Sequence, residues 1–114
     1  MHELGIIVHI SKTLTEVAKE NQISKIGAVT LEVGEVSGIV PDFLTDCWSY
    51  YRKKNVLIEE AELKIDTLPA VTLCEACDKT YPTVKHGKQC PFCKGYQTYL
   101  ITGDECNIKE IEAC

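Results

Sequence analysis

The chain has 114 residues, 45% of them hydrophobic and 25% charged, the mixture of a globular protein with a buried core rather than of a disordered one. Its apolar runs stop at four or five residues, as in Leu4-Gly5-Ile6-Ile7-Val8, against the roughly 20 that a membrane-spanning helix requires, so neither a membrane span nor a membrane partner is expected. A net charge of −5, with a densest basic run of only Arg52-Lys53-Lys54, argues against nucleic acid as a ligand, since phosphate recognition needs a concentrated basic stripe.

Met1-His2-Glu3 lacks the basic-then-apolar pattern of a secretory signal, and the expectation is a soluble, cytoplasmic protein. From Leu4 to about Glu20, Ile6, Ile10, Leu14, Val17 and Ala18 recur three and four apart, which predicts one face of a helix. Val29, Leu31 and Val33 then alternate with Thr30, Glu32 and Gly34, the period of a half-buried strand. A turn is marked by Gly34, Ser37 and Gly38. Pro41 suits the first turn of a second helix, with Asp42 near its positive dipole end. The buried stripe of that helix reads as Val40, Phe43, Leu44, Cys47, Trp48 and Tyr51, and its last cations, Arg52 to Lys54, face the negative dipole end before Asn55 ends it.

Ala61, Leu63 and Ile65 predict another strand, closed by Pro69. From Ala70 to about Leu100 aliphatic periodicity disappears and four of the seven cysteines gather, so this piece cannot build an apolar core of its own and calls for a metal. Tyr99, Ile101, Ile108 and Ile111 suggest a last strand, interrupted at Gly103. The resulting order of helix, strand, helix, strand, metal module and strand is an α+β arrangement.

Cys74-Glu75-Ala76-Cys77 and Cys90-Pro91-Phe92-Cys93 are two C-x2-C pairs with residues 78–89 between them, room for a short hairpin. In a reducing compartment such paired spacings read as a metal site, and four thiolates in a tetrahedron suit Zn²⁺. A four-cysteine site leaves no open coordination position, so the zinc is structural rather than hydrolytic. Such knuckles need a left-handed residue after the second cysteine, for which Asp78 and Gly95 are the candidates. A thiol-disulfide pair at Cys74 and Cys77 is the competing reading, disfavoured by the symmetry of the two pairs. His86, between the pairs, is either a solvated loop histidine or an exchangeable or supporting ligand. Cys47, Cys106 and Cys114 have no partner at metal-binding spacing; Cys106 reads as a strand residue and Cys114 as a terminal thiol prone to artefactual dimerisation.

A second metal reading concerns the amino terminus. The Met1 amine, the backbone nitrogen of His2 and its imidazole lie in covalent sequence and can close two fused chelate rings, an arrangement suited to Ni²⁺ or Cu²⁺ in square-planar geometry. The Glu3 amide, its carboxylate or water would supply the fourth position. Met1 is retained, since initiator removal requires a small second residue. A histidine at position 2 is equally consistent with an ordinary exposed terminus, Glu3 with a charge complementing the helix dipole, and His9 with a surface or packing role.

Met1-His2-Glu3-Leu4 opening a helix, Leu31-Glu32-Val33-Gly34-Glu35-Val36-Ser37-Gly38-Ile39 followed by Pro41-Asp42, the two C-x2-C pairs, and Gly103-Asp104-Glu105 before a terminal strand together resemble the HypA/HybF hydrogenase maturation family, over nearly the whole chain. The resemblance implies a nickel metallochaperone, not an enzyme, that carries transferable Ni²⁺ to the large subunit of NiFe-hydrogenase with a HypB-type GTPase as partner. It implies nickel binding by His2 with Met1 and Glu3, and zinc binding by Cys74, Cys77, Cys90 and Cys93. It also implies a small mixed three-stranded sheet with two helices, spanning residues 1–69 and completed by a strand at about 103–114. A rubredoxin-like or zinc-ribbon module is inserted at 70–102. Asp78 and Lys94 stand where relatives often carry glycine. A monomer or weak homodimer is expected, and urease maturation is a second duty within the family. From another class, a zinc-ribbon interaction adaptor without transferable metal fits the four cysteines but leaves the Met1-His2-Glu3 start unexplained.

Overall fold

A computed structural model describes residues 3–114. The first helix, α1 (Glu3–Glu20), leads into β1 (Ile26–Gly34), and α2 (Pro41–Tyr51) runs into a 3-10 turn at Arg52–Lys54. Then come β2 (Glu62–Leu68), β3 (Val71–Cys74), β4 (Thr80–Pro82), the single-turn α3 (Thr83–His86), β5 (Thr98–Thr102) and β6 (Cys106–Ala113). The chain divides into two compact units. One holds α1, β1 up to Glu32, Ile39–Asp66 and Asn107–Cys114; the other holds Val33–Gly38 and Thr67–Cys106. Among the described residues, no helix is long and apolar enough to cross a membrane.

In the first unit α1 packs against α2, and a three-stranded sheet has the order β2-β1-β6. The buried face of α1 is Glu3, Ile7, Ile10, Ser11, Leu14 and Ala18, one step out of phase with the sequence reading at its start: Ile7 is buried where Ile6 was expected, and Val17 is only half-buried. Since Glu3, Ile7, Ile10 and Leu14 fall four, three and four apart, the stripe keeps its helical period and simply begins earlier. On α2 the correction is larger. Of six expected core positions only Leu44 and Trp48 are buried, while Val40 is 42% and Phe43 59% exposed. The Trp48 indole donates to the carbonyl oxygen of Ala61 at 2.9 Å, which satisfies its one polar atom inside the core.

β1 is more buried than a strand with one wet face. Thr30, expected on the outer side, is 8% exposed, alongside Val29 and Leu31 at 0%. Its central position accounts for this. Lys64 on β2 reaches Glu112 on β6 at 3.1 Å, and Lys109 on β6 reaches Asp66 on β2 at 2.8 Å, so two ion pairs join the flanking strands across β1.

The second unit carries its own antiparallel sheet, β4-β3-β5, with Thr72 opposite Tyr81 on one side and Leu100 on the other. The strand expected to run from Tyr99 to Ile111 is therefore two strands in different sheets: β5 pairs with β3, whereas β6 joins β1. Gly103, at φ 123°, makes the break in a conformation open to glycine. Within this unit Cys74, Tyr81 and Cys90 form a small buried cluster with Cys77 packed against them, so three of the four candidate ligands belong to that core.

Candidate metal centre

The two C-x2-C turns fold alike. In the first, the N–H of Asp78 donates to the carbonyl of Cys74 (2.8 Å) and the N–H of Cys74 to that of Lys79 (2.9 Å). In the second, Lys94 donates to Cys90 (2.9 Å) and Cys90 to Gly95 (2.9 Å). The left-handed residue is the one directly after the second cysteine in both: Asp78 at φ 57° and Lys94 at φ 65°. The expectation that Gly95 takes this role is thus corrected. A left-handed lysine costs about 1–2 kcal/mol, offset here by the reciprocal backbone bonds that fix the turn. Gly95 has a different reason to lack a side chain, because a Cβ there would lie 3.3 Å from the Cys93 sulfur.

These turns bring all four sulfurs within 4.8 Å of one another. The Sγ atoms of Cys74 and Cys93 are 3.5 Å apart, and those of Cys77 and Cys90 3.6 Å apart. A tetrahedron of thiolates around Zn²⁺ at about 2.3 Å has edges of about 3.8 Å, so the donor set and its spacing fit that ion. Cys74 and Cys90 are fully buried, Cys77 is half-buried and Cys93 exposed. Burial, with the neighbouring thiols, pushes Cys77 up to about 12. Burial also acts upward on Cys90, but the backbone N–H groups of Cys93 and Phe92 and the adjacent thiols outweigh it and draw that thiol down to about 6. A cluster of thiols that cannot all ionise alone is the electrostatic counterpart of a cation site.

His86 is exposed and does not belong to the four-sulfur group. Its ring meets Tyr81 edge-on, with centroids 5.8 Å apart at 80°. Tyr81 is 3% exposed, and its hydroxyl donates to the carbonyl of Gly87 at 3.0 Å. This tyrosine closes the module and was not singled out from the sequence, where a lone aromatic among polar residues carries no period. Cys47 is half-buried on α2, Cys106 starts β6 with its thiol pushed up by burial, and Cys114 is exposed.

Of the terminal nickel candidates, Met1 and His2 lie outside the described residues. Glu3 opens α1, 6% exposed, and its carboxylate accepts a hydrogen bond from the backbone N–H of Val40 at 3.1 Å. The Gly34-Glu35-Val36-Ser37-Gly38 turn has a structural explanation that sequence alone did not supply. Gly34 N–H donates to the Glu105 carbonyl, Val36 N–H to that of Gly103, and Glu35 N–H to that of Leu68, while Glu35 Oε1 accepts from Ala70 N–H at 2.8 Å. The turn therefore knits together the two chain segments that flank the cysteine module.

Comparison with known proteins agrees with this architecture. Residues 1–113 match the family model described as "Hydrogenase/urease nickel incorporation, metallochaperone, hypA". Hydrogenase maturation factor HypA of Albidiferax ferrireducens is 33% identical over 112 residues, 98% of either chain. That of Dehalococcoides mccartyi is also 33% identical, over 98% of this chain and 93% of its own. Among solved structures, the nickel metallochaperone HypA of Helicobacter pylori superposes with a TM-score of 0.76 at 23% identity, over 99% of this chain and 97% of that one. A second HypA solution structure gives 0.77 at 22%, over 100% and 97%. At those identities the superpositions establish the fold.

Proposed function

The chain belongs to the HypA family of hydrogenase/urease nickel-incorporation metallochaperones, and on that footing we propose that it binds Ni²⁺ at its amino terminus and hands it on during maturation of NiFe-hydrogenase. The observation that carries this reading is the match to that family over residues 1–113 in a chain that opens Met1-His2-Glu3. In this reading His2, Met1 and Glu3 hold the transferable ion, and Cys74, Cys77, Cys90 and Cys93 hold a structural zinc. The nickel-binding domain comprises residues 1–69 with the terminal strand at 103–114, and the zinc domain residues 70–102. A HypB-type GTPase and the hydrogenase large subunit are the partners, and the setting is the cytoplasm. No covalent catalysis is assigned.

The physical case for a terminal site is kinetic as much as thermodynamic. Ligands on a chain end leave one side of the ion open, so a receiving protein can replace them one at a time. Amine and imidazole bind only when deprotonated, and nickel affinity therefore falls as pH drops through roughly 6–7. The zinc serves a separate purpose: when bound it neutralises the clustered thiolates and fixes the two knuckles, leaving no open position for chemistry.

Nickel titration of untagged protein against His2→Ala, with zinc quantified in both, tests the proposal. Loss of one nickel equivalent with one zinc per chain retained is the expected result. Unchanged nickel binding in His2→Ala, or equal affinity at about pH 7.5 and pH 5.5, would remove the terminal site.

A further inference from the structure

The two knuckles have equivalent backbones and unequal side chains. Cys74-Glu75-Ala76-Cys77-Asp78-Lys79 matches Cys90-Pro91-Phe92-Cys93-Lys94-Gly95 position for position. The carbonyls of Lys79 and Gly95 accept from the N–H groups of Cys74 and Cys90, each at 2.9 Å, and Asp78 and Lys94 are the left-handed pair. Lys79 therefore corresponds to Gly95, and Phe92 to Ala76. Of these two related pairs, one makes a contact that the other has no groups to repeat. The Lys79 ammonium stands 4.7 Å from the centroid of the Phe92 ring, whereas Gly95 and Ala76 carry neither a cation nor a ring. Lys79 is exposed and Phe92 is 57% exposed, so neither is placed by a core. Their backbones are nonetheless fixed by the turns: the Lys79 carbonyl closes the first knuckle, and the Phe92 N–H points to the Cys90 sulfur at 3.4 Å in the second. A side chain anchored in one knuckle thus caps a ring anchored in the other, besides the four sulfurs that a shared ion would join.

We infer that Lys79 and Phe92 form a clasp across the two knuckles that slows their separation and with it the loss of zinc. Both are positioning residues, touching each other and not the ion. The inference rests on reading the four cysteines as the zinc site. Each knuckle contributes two of the four sulfurs, so a competing chelator frees the ion only after both sulfurs of one knuckle have let go. At that stage the freed knuckle either drifts away or is kept close enough to bind again. A cation held over an aromatic face is a contact that needs no metal, and it keeps the freed knuckle in place during that interval. The thiolates set how tightly the ion is held, and the clasp sets how fast it leaves. In a chain proposed to hand on one metal and retain another, such a contact is a kinetic means of retaining the second.

The test uses full-length, nickel-free protein loaded with zinc and follows zinc transfer to a pyridylazo dye in Lys79→Met, Phe92→Leu, the double variant and Lys79→Arg. Met keeps an unbranched stem without the charge, and Leu keeps apolar bulk without the ring. Each single change is expected to speed release about two- to fivefold, and the double variant no more than either alone. Lys79→Arg should hold the wild-type rate, since a guanidinium also stacks on a ring. Proton NMR supplies the direct signature: the Lys79 ε-methylene protons are shifted upfield by the Phe92 ring, and Phe92→Leu abolishes the shift. Both side chains are exposed, and one zinc per chain in each variant shows that the module folds. Acceleration by Lys79→Met alone would assign the effect to charge on the thiolates, by Phe92→Leu alone to packing, and additive effects to two separate causes; each overturns the clasp. Zinc content separates this from the underlying reading. Wild type without zinc, or Cys90→Ser still holding one zinc per chain, removes the four-cysteine site and the clasp with it, whereas one zinc per wild-type chain with equal release rates removes the clasp alone.

Discussion

The carboxylate of Glu3 accepts a hydrogen bond from the backbone nitrogen of Val40 at 3.1 Å, tying the first turn of α1 to the residue that precedes α2. Val40 sits at the cap position of α2 and its side chain has no atom that can accept a hydrogen bond. A single buried acid thus lends negative charge to the amino-terminal ends of two helices.

That arrangement separates two roles for Glu3. Glu3→Gln keeps an oxygen able to accept from Val40, whereas Glu3→Ala leaves that N–H without its partner. Urea unfolding followed by Trp48 fluorescence should show Glu3→Ala less stable by about 1–2 kcal/mol and Glu3→Gln by less than half of that. Nickel titration of the same pair reports on the carboxylate as a ligand. If Glu3→Gln loses nickel at unchanged stability, the carboxylate coordinates; if it binds nickel normally, Glu3 contributes its backbone or nothing.

With zinc held by Cys74, Cys77, Cys90 and Cys93 as proposed, its removal should unfold one unit and spare the other. Around the cysteines the second unit buries only Cys74, Tyr81 and Cys90, with Val33 and Ala70 besides, too few apolar atoms to order a chain of this length alone, while Trp48, Leu14 and Leu31 belong to the first. Chelation is expected to raise amide exchange through Val71–Cys74 and Thr80–Pro82 by orders of magnitude, with Trp48 emission unchanged. Cys90→Ser should reproduce that pattern without a chelator. Uniform exchange across α1 and β3 after zinc loss would show that the metal holds the whole chain.

Much of this was legible in the sequence, and the failures share a cause. Periodicity located α1, β1, α2 and β2 within a few residues, and the cysteine spacing identified the four sulfurs that the fold brings together. Periodicity reports which residues could be buried, not which ones find a partner, so α2 carried an apolar stripe that only Leu44 and Trp48 use. Of the β3-β4-β5 sheet only the stretch around Tyr99 and Ile101 read as strand; β3 and β4 escaped notice because they are only four and three residues long and pack on thiols and one tyrosine. Nor could spacing show that Thr98–Thr102 and Cys106–Ala113 part into different sheets, since that depends on pairing with residues far away in the chain.

Two glycines of β1 should respond very differently to alanine. A Cβ on Gly34 would fall 2.0 Å from the carbonyl oxygen of Gly103, which is backbone and held by its bond from Val36. A Cβ on Gly27 would meet the Cys114 sulfur at 3.1 Å, the movable end of a terminal side chain. Gly34→Ala is expected to cost about 3 kcal/mol, and Gly27→Ala to stay within about 0.5 kcal/mol, in thermal or urea unfolding. Equal effects would mean that the Gly34–Gly103 approach relaxes freely.

Glu105 provides a prediction of sign in pH. The Thr102 hydroxyl, 2.5 Å away, and then backbone N–H groups including that of Gly103 at 2.6 Å donate to its carboxylate and hold its carboxyl below the ordinary glutamate range. A carboxyl whose folded pKa is depressed binds fewer protons folded than unfolded, so its stabilisation is complete above the unfolded value of about 4.3 and is lost as pH falls through the folded value. Because acidification would also release a metal held by the four thiolates, the carboxyl itself is the cleaner reporter. Carbon-13 titration should place the Glu105 midpoint below the ordinary glutamate value of about 4.3, and Thr102→Val should move it upward by removing the first donor. Val cannot donate but keeps the branched shape, so β5 packing is preserved. A midpoint unmoved by Thr102→Val would assign the depression to the backbone donors of the Gly103 turn alone.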